Sequence, residues 1–459
     1  MSNESLQPLA DEMKRDWDDR AREDSRWYIN TIKRNQNDEE FDATGRPEVE
    51  NFILADPLIV RGRDLKQARL LEIGCGIGRM TRHLAGIFGE VHGVDVSAEM
   101  IRQARERFRE SRNTFFHATN GLDFAAFPDA RFDVVFSVYV FQHVPTPEII
   151  RSNIRDACRV LAPGGVFKFQ VCGIDHPDYE QMRKDTWTGA PFTERGLRAA
   201  ARENGVRCLS IHGLGTQYCW AVFEKPAEPP DEADTLAPIG GQPRIVALAR
   251  TDDPAIRAIP TNGEFASLSL VVNGLDRTVE DINSVIIEID GEEFLPHYLG
   301  PVRDNFSAPA APGVGGRSTQ LDLRTSPRMP CGLVDVLVRD SRGESSNIET
   351  IELLEPQPIP PKIHLINNAV DGGIDIHAEG EKSVFRVFAT GMDETAGPGN
   401  VRVQLNDRKL TPESVTFLPA NGFYMTIVRL PLGAAPGEAD VRIHFNDLGS
   451  APARMRILE

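Results

Sequence analysis

The sequence predicts a doubly wound α/β domain followed by two all-β sandwiches, and three observations carry that prediction. From Arg69 to about Pro226, apolar runs alternate with helical patterns at the spacing of strand, helix, strand, which calls for a parallel sheet with helices on both faces. Beyond Pro243 the helical periodicity stops, and short alternating runs separated by Gly, Asn, Asp and Pro take over. Between the two regions lies PAEPPDEADTLAPIGGQP, residues 226 to 243, whose proline, acid and glycine content is that of a linker. A chain of 459 residues is also longer than one core usually organises.

Taken in order, residues 8 to about 36 read as helix, because Met13, Trp17 and Ala21 recur every four residues among charges, with Trp27 and Tyr28 one to two turns later. A second helical segment, RPEVENFILADPLI, is expected to begin at Pro47, a residue suited to a first turn. Together they make an N-terminal helical cap, residues 1–60. The strands of the α/β domain, residues 61–226, are RLLEIG, EVHGVDV, NTFFHA, FDVVFSVYV and GGVFKFQV, with SAEMIRQARERFRE and PEIIRSNIRDACRVL among the helices. RCLSIHGLGTQYCWAVFEKP then holds two strand-like runs joined by a short turn with no room for a crossover helix, so the last strand must run antiparallel. After the linker, 227–242, a weak internal repeat appears. PRIVAL at 243 matches PKIHLI at 361, VVNGLD at 271 matches FATGMD at 388, and GLVDVLVRD at 332 matches GEADVRIHF at 437. Two modules of roughly 100 residues, 243–356 and 357–459, have the size and texture of immunoglobulin-like sandwiches. One large β domain is the alternative.

The formal charge, 51 − 68 = −17, sets an excess of carboxylates against phosphate backbones and anionic lipid, which argues against nucleic acid or a membrane as partner. The N-terminus has no stretch like a signal peptide, and the longest apolar run, VVFSVYVF, is too short to span a bilayer. A cytoplasmic protein is expected. Six scattered cysteines without a C-x-x-C pair suit reduced thiols, and the ten histidines show no metal-binding spacing.

The segment with the most chemistry is EIGCGIGRM. A dinucleotide loop, G-x-G-x-x-G, requires a small residue at position 79, where this chain has Arg. Here the third glycine comes one place earlier, giving E-x-G-x-G-x-G, a spacing in which backbone curls around a ligand without pyrophosphate. From about residue 55 to 226 the chain resembles the class I S-adenosylmethionine-dependent methyltransferases. The resemblance rests on this loop, Asp95 after the second strand, FHATNGLDFAAFPDARFDVVFS, QHVP and the LAPGG turn. It implies a Rossmann-like seven-stranded sheet with an antiparallel last strand, and S-adenosyl-L-methionine as cofactor. It also implies roles. Glu72 would serve the methionyl amine end, and Gly74, Cys75, Gly76 and Gly78 would let backbone lie against the ligand. Asp95 would accept from both ribose hydroxyls, and Val96 would pack on adenine. Asn120, Gly121 and Leu122 would frame the adenine edge, and Ser137 would line the methyl-donor side. One extra residue between Asn120 and FPDARFD departs from the family pattern and leaves the adenine contact open between Asn120 and its neighbours. Asp133 reads as a hydrogen bonder at the start of its strand.

Methyl transfer from a sulfonium is an in-line displacement in which alignment and water exclusion can supply ~7–11 kcal/mol. His143 of QHVP, beyond strand four, is the candidate general base, with a loop-positioning role as the alternative. Tyr139 and Gln142 are candidates for contact with the acceptor. Trp17, Arg20, Trp27 and Tyr28, together with Tyr179 and Trp187, supply aromatic surface that would suit a planar small molecule or the apolar face of a glycan. No catalytic constellation is visible after residue 243; the β modules would bind substrate or pair subunits into a homo-oligomer. A non-catalytic scaffold with a retained cofactor fold, or a nicotinamide or flavin oxidoreductase, are the competing functions.

Overall fold

The computed structural model describes residues 3–459 apart from 32–33, 61, 174–185, 188, 215, 228–241, 263–264, 277–278, 305–317, 358, 370–373, 375, 393–395, 419–422, 432 and 447. Two compact units result: Met1–Thr261 with Phe265–Leu354, and Asn262–Glu264 with Glu355–Glu459. The first unit opens with α1 (Asn3–Ile29), which breaks at Asp24, where φ is −163° and ψ 85°. Helix α2 (Asp38–Val49) starts nine residues before Pro47, because Asn37 and Glu40 form a capping box in which each side chain accepts from the other's backbone N–H. Pro47 therefore sits inside the helix. A wider turn, Glu50–Leu54, and α3 (Pro57–Val60) follow.

The α/β region comprises β1 (Arg69–Ile73), α4 (Thr81–Leu84), β2 (Glu90–Asp95), α5 (Ala98–Arg107), β3 (Thr114–Ala118), β4 (Phe132–Ser137), α6 (Pro147–Val160), β5 (Leu161–Val171), α7 (Glu194–Glu203), β6 (Arg207–His212) and β7 (Cys219–Glu224). Their order in the sheet is β3-β2-β1-β4-β5-β7-β6. β1 to β5 are parallel, and β7 is antiparallel to both β5 and β6, as the short hairpin requires. Leu70, Leu71, Val134, Val135 and Phe136 lose all solvent contact, as befits central strands covered on both faces. Asp133 opens β4 by accepting from the Arg69 N–H at 2.8 Å.

The first β module contributes β8 (Arg244–Arg250), β9 (Ala258–Pro260), β10 (Ser267–Asn273), β11 (Ile286–Ile289), β12 (Glu292–Phe294), β13 (Tyr298–Pro301), β14 (Thr319–Arg324), β15 (Gly332–Arg339) and β16 (Glu349–Leu354). One of its sheets is β12-β11-β15-β16-β9, and the other, β13-β14-β10-β8, continues the α/β sheet to eleven strands. The junction is β6 against β13, with Tyr298 opposite Ser210 and the Ile211 N–H donating to the His297 carbonyl at 2.7 Å. Ile282 N–H also donates to the Cys208 carbonyl at 3.0 Å. Arg198 of α7, buried, reaches across to the carbonyls of Ile282 at 2.8 Å and Pro296 at 3.0 Å. Residues 226–243 read as a boundary, yet the packing continues across it; 228–241 lie outside the described residues.

The second unit holds β17 (Lys362–Asn368), β18 (Ile376–His377), β19 (Val384–Thr390), β20 (Val401–Leu405), β21 (Arg408–Leu410), β22 (Ser414–Leu418), β23 (Phe423–Arg429), β24 (Gly437–Phe445), β25 (Leu448–Gly449) and β26 (Ala453–Leu458). Its sheets, β17-β19-β23-β22 and β18-β26-β24-β20-β21, repeat the order of the nine strands of the first module, with β25 added against β24. Even the single parallel pair recurs, β9 on β16 and β18 on β26. The sequence repeat thus marks β8 with β17 and β15 with β24. Phe385, Val387, Val403 and Ile443 form its core.

Among the described residues no helix is long and apolar enough to cross a membrane, and no three His, Cys, Asp or Glu side chains gather as metal ligands. No disulfide joins any of the six cysteines.

Candidate functional site

The site forms where β1, β2 and β4 end. Gly74, Gly76 and Gly78 all take positive φ, at 72°, 53° and 89°. A side chain there would be strained by the backbone and would also collide. A Cβ on Gly74 would lie 2.1 Å from Val140, one on Gly76 2.6 Å from Ile29, and one on Gly78 2.5 Å from the Phe108 ring. The loop is held from inside. Gly74 and Cys75 N–H both donate to the Val94 carbonyl, and Gly76 N–H donates to Asp95 at 2.9 Å. Cys75 turns its thiol into the core with Ile101, Phe108 and Phe116, so only its backbone faces the crevice. Glu72 is buried and accepts from the Thr81 hydroxyl, tying β1 to the helix after the loop. Burial pushes its carboxyl up to about 7 against the opposing pull of Thr81 and Arg79. Arg79, the residue that breaks the dinucleotide pattern, is itself buried and pairs with Glu48 at 2.5 Å.

Asp95 ends β2 half-buried at the mouth of the crevice. One oxygen accepts from Gly76 N–H and the other from Ser97 N–H at 2.9 Å, leaving lone pairs on both. Burial raises its carboxyl to about 6, with those two N–H groups pulling the other way. Val96 lies beside Gly121, where a Cβ would meet Val96 at 3.1 Å and Met13 at 2.9 Å. Helix α1 therefore roofs this edge. It is fastened by Asp18, which accepts from the Ser97 hydroxyl at 2.6 Å and the Glu99 N–H at 3.0 Å. Asp18 was not among the sequence candidates, and its place in a charge-rich helix gave no signal.

Asn120 is exposed, and its side-chain oxygen accepts from the N–H groups of Leu122 at 2.8 Å and Asp123 at 3.0 Å. That turn occupies the atom expected to serve adenine. Leu122 points into the core and Gly121 supplies backbone. Ser137 is likewise fully buried, beneath the floor, with its hydroxyl 3.4 Å from the Ile73 carbonyl. Around the opening the structure gathers Gly74, Gly76, Asp95, Val96 and Gly121, with Glu72 and Ser137 as underlying support.

On the other side of the opening the chain leaves β4 through Tyr139, a non-glycine residue at φ 58°. Such a conformation needs an outside restraint, and the Tyr139 N–H finds it in the Gln170 side-chain oxygen at 2.9 Å. Burial, then the neighbouring Glu48, pushes the Tyr139 phenol up to about 12. A short turn, Phe141–His143, places His143 edge-on to Trp17 at 5.6 Å and tilted against Trp187 at 5.3 Å between ring centroids. Arg20 lies over both indoles, 4.7 and 5.6 Å from their centroids, and its Nη1 donates to the Thr186 hydroxyl and carbonyl. Tyr28 meets Trp187 edge-on at 5.9 Å. Trp27 instead packs under Arg34, and Tyr179 lies outside the described residues.

Residues 70–165 match a family described as a methyltransferase domain. A ubiquinone biosynthesis O-methyltransferase of Thiobacillus denitrificans is 32% identical over 191 residues, which cover 38% of this chain and 81% of that protein. A demethylmenaquinone methyltransferase of Tropheryma whipplei is 36% identical over 108 residues, 24% of this chain and 42% of that protein. Phosphoethanolamine N-methyltransferase 2 of Caenorhabditis elegans is 39% identical over 112 residues, 24% of this chain and 25% of that protein. The chain thus spans less than half of the Tropheryma protein and four fifths of the Thiobacillus one. With the glycine loop, the acid at the end of β2 and the antiparallel β7 in place, these matches show that the chain belongs to the class I S-adenosylmethionine-dependent methyltransferases.

Proposed function

We propose that this chain transfers a methyl group from S-adenosyl-L-methionine to an oxygen or nitrogen of a small-molecule acceptor. The observation that carries the proposal is the pairing of the glycine loop with Asp95, whose two oxygens keep acceptor capacity toward the crevice. The residues fit the group. Gly74 and Gly76 hold the backbone at positive φ beside Asp95, whose two carboxylate oxygens suit vicinal hydroxyls. When bound, the sulfonium supplies an activated methyl. The chain's part is to hold the ribose through Asp95, to keep backbone close at Gly74 and Gly76, and to exclude water with α1. Trp17, His143 and Trp187 form the wall on the acceptor side, and their flat faces suit a planar acceptor such as a phenol or quinol ring. A glycan acceptor, with the β modules as its binding surface, is the second form of the proposal. The test is titration calorimetry with S-adenosylhomocysteine, followed by transfer of a tritiated methyl to panels of phenols, amines and oligosaccharides. Absence of binding would overturn the proposal and favour a scaffold role; preferential binding of NAD or FAD would favour an oxidoreductase.

A further inference from the structure

Helix α2 reaches the glycine loop through a residue with no side chain. A Cβ on Gly45 would lie 2.6 Å from the Arg79 carbonyl, so glycine is what lets the helix rest on the chain just past Gly78. That close approach brings Glu48, a turn further along α2, to the Arg79 guanidinium at 2.5 Å. Arg79 keeps 6% of its side chain exposed and Glu48 25%, so the cation is the buried partner and the carboxylate is the accessible one. Glu48 also stands beside Tyr139, whose phenol it helps to raise after burial itself. The Tyr139 ring lies between two others, edge-on to Phe52 at 6.4 Å and to Tyr218 at 5.9 Å. Phe52 follows Glu48 by four residues, so α2 and the wider turn after it present both side chains to Tyr139. The turn is pinned from β5, whose buried Lys168 donates to the Phe52 carbonyl at 2.8 Å and to Asp56 at 2.6 Å. Gln170, fully buried in the same strand, accepts from Tyr139 N–H at 2.9 Å and donates to Gln142 Oε1 at 2.7 Å and to the Gln217 carbonyl at 2.9 Å, which also fixes the backbone beside Tyr218.

We propose that Glu48 and the Tyr139 phenol form the polar end of the acceptor site and receive the N–H or O–H of the atom to be methylated. Val140, the residue after Tyr139, is the side chain that a Cβ on Gly74 would strike, so the pair stands directly beside the glycine loop. A carboxylate offers about four lone-pair sites. Arg79 takes one of them on Oε2 and the phenol can take another, which leaves capacity for a donor on a ligand. Arg79 acts here as a positioning residue, matching the charge of Glu48 and fixing the direction in which its oxygens face. Tyr139 is fixed twice over, by Gln170 at its backbone and by Phe52 and Tyr218 at its ring. Oxygen acceptors held this firmly suit a hydroxyl or an amine, and the aromatic wall of Trp17, His143 and Trp187 suits the ring that carries it. If Glu48 served Arg79 alone, its loss would act equally on every ligand of the crevice. A role toward the acceptor acts on one ligand position only.

The inference rests on the methyl-transfer reading, but its test needs no acceptor. Sinefungin carries an ammonium-bearing carbon where S-adenosyl-L-methionine has its sulfonium and methyl, so its N–H groups probe for acceptor oxygens at the methyl position. Calorimetry on the full chain would compare sinefungin with S-adenosylhomocysteine for the wild type, Glu48→Gln and Tyr139→Phe. The wild type should bind sinefungin roughly tenfold or more tightly, as expected of a hydrogen bond to a charged group. Glu48→Gln should remove most of that preference. Tyr139→Phe should lower it about threefold, since one oxygen goes while the ring keeps its place between Phe52 and Tyr218. Equal wild-type affinities for the two ligands overturn the proposal without any variant. A preference left unchanged in either variant that still binds S-adenosylhomocysteine overturns it too, and if Glu48→Gln does not fold, Tyr139→Phe decides alone. Failure of S-adenosylhomocysteine to bind sinks the methyl-transfer reading itself; binding without a preference for sinefungin sinks only the placement of Glu48 and Tyr139.

Discussion

Ending the chain after Pro226 removes the whole β region at a point the sequence marks as a linker, and the structure gives the cost. Of the hydrogen bonds that cross from α7 and β6 to the first β module among the described residues, six set the estimate. They are Ile211 N–H to His297, Ile282 N–H to Cys208, Cys208 N–H to Asp281, Arg198 to Ile282 and to Pro296, and Arg207 to Glu280. At about 1 kcal/mol net for each, their loss amounts to roughly 6 kcal/mol, against a total stability of about 5 to 15 kcal/mol for an ordinary domain. Cys208, Leu209 and Ile211, all buried, would also lie on a newly exposed sheet edge. A chain ended after Leu354 keeps all of these contacts and loses only the second unit. Urea unfolding followed by tryptophan fluorescence should give the 1–354 chain the same first transition as the full chain, while the 1–226 chain should unfold at a far lower midpoint or fail to stay soluble. S-adenosylhomocysteine calorimetry on both would show whether affinity follows stability. If the 1–226 chain unfolds at the full-length midpoint and binds with unchanged affinity, the shared sheet contributes nothing to the catalytic fold and the reasoning fails.

Asp95→Ala should weaken S-adenosylhomocysteine binding by about 2 kcal/mol, near thirtyfold, since hydrogen bonds to a charged group are worth roughly 1.5 to 3 kcal/mol; unchanged calorimetric affinity would remove Asp95 from the site. Because its carboxyl titrates near 6, wild-type affinity should also fall as pH drops through that value, a limb that Asp95→Asn should lack. Gly74→Ala sets a Cβ 2.1 Å from Val140 at a φ of 72°, so cofactor affinity should drop, and adding Val140→Ala should restore only part of it; full restoration would mean the backbone conformation carries no cost.

What could be read beforehand was whatever a local backbone constraint writes into residue type. Three alternating glycines ahead of a helical pattern mean three left-handed positions, and all three occur. An acid closing the next apolar run means a carboxylate at the carboxyl end of a parallel strand, and Asp95 is there. Asn120 shows the opposite case. Its role at the adenine edge came from family resemblance, while the Asn-Gly pair in TNGLD was itself a turn signal, and the turn took the side-chain oxygen. Likewise Asn37 and Glu40 spelled a capping box that outweighed Pro47 as the start of α2. Gln170 could have been noticed as one uncharged polar residue closing the apolar run GGVFKFQV. Its partners could not, because Tyr139 and Gln142 come from the connection after β4 and Gln217 from the β6–β7 turn, both remote from it in sequence.

The linker shows why composition and architecture part company. Proline, acid and glycine report that a segment gains little by ordering; they do not report what the flanking residues touch. The signal against a free boundary lay in β6 itself. A strand at the rim of a sheet is ordinarily guarded by lysine, proline or an inward charge, and RCLSIH carries no such guard through its middle four residues, all buried. Its rim is covered because β13 lies against it. In the second β unit the strand at the matching position, β22, has one neighbour in its sheet, β23, and none beyond it among the described residues. Two copies with the same nine-strand order therefore differ in what one edge does. The first copy's edge completes the catalytic sheet, and through Arg198 and His297 it also reaches α7, where hydrogen bonding from His297, then Arg198, holds the Glu194 carboxyl down to about 2. A change confined to the first β module, such as His297→Ala, should thus register in the stability of the methyltransferase sheet.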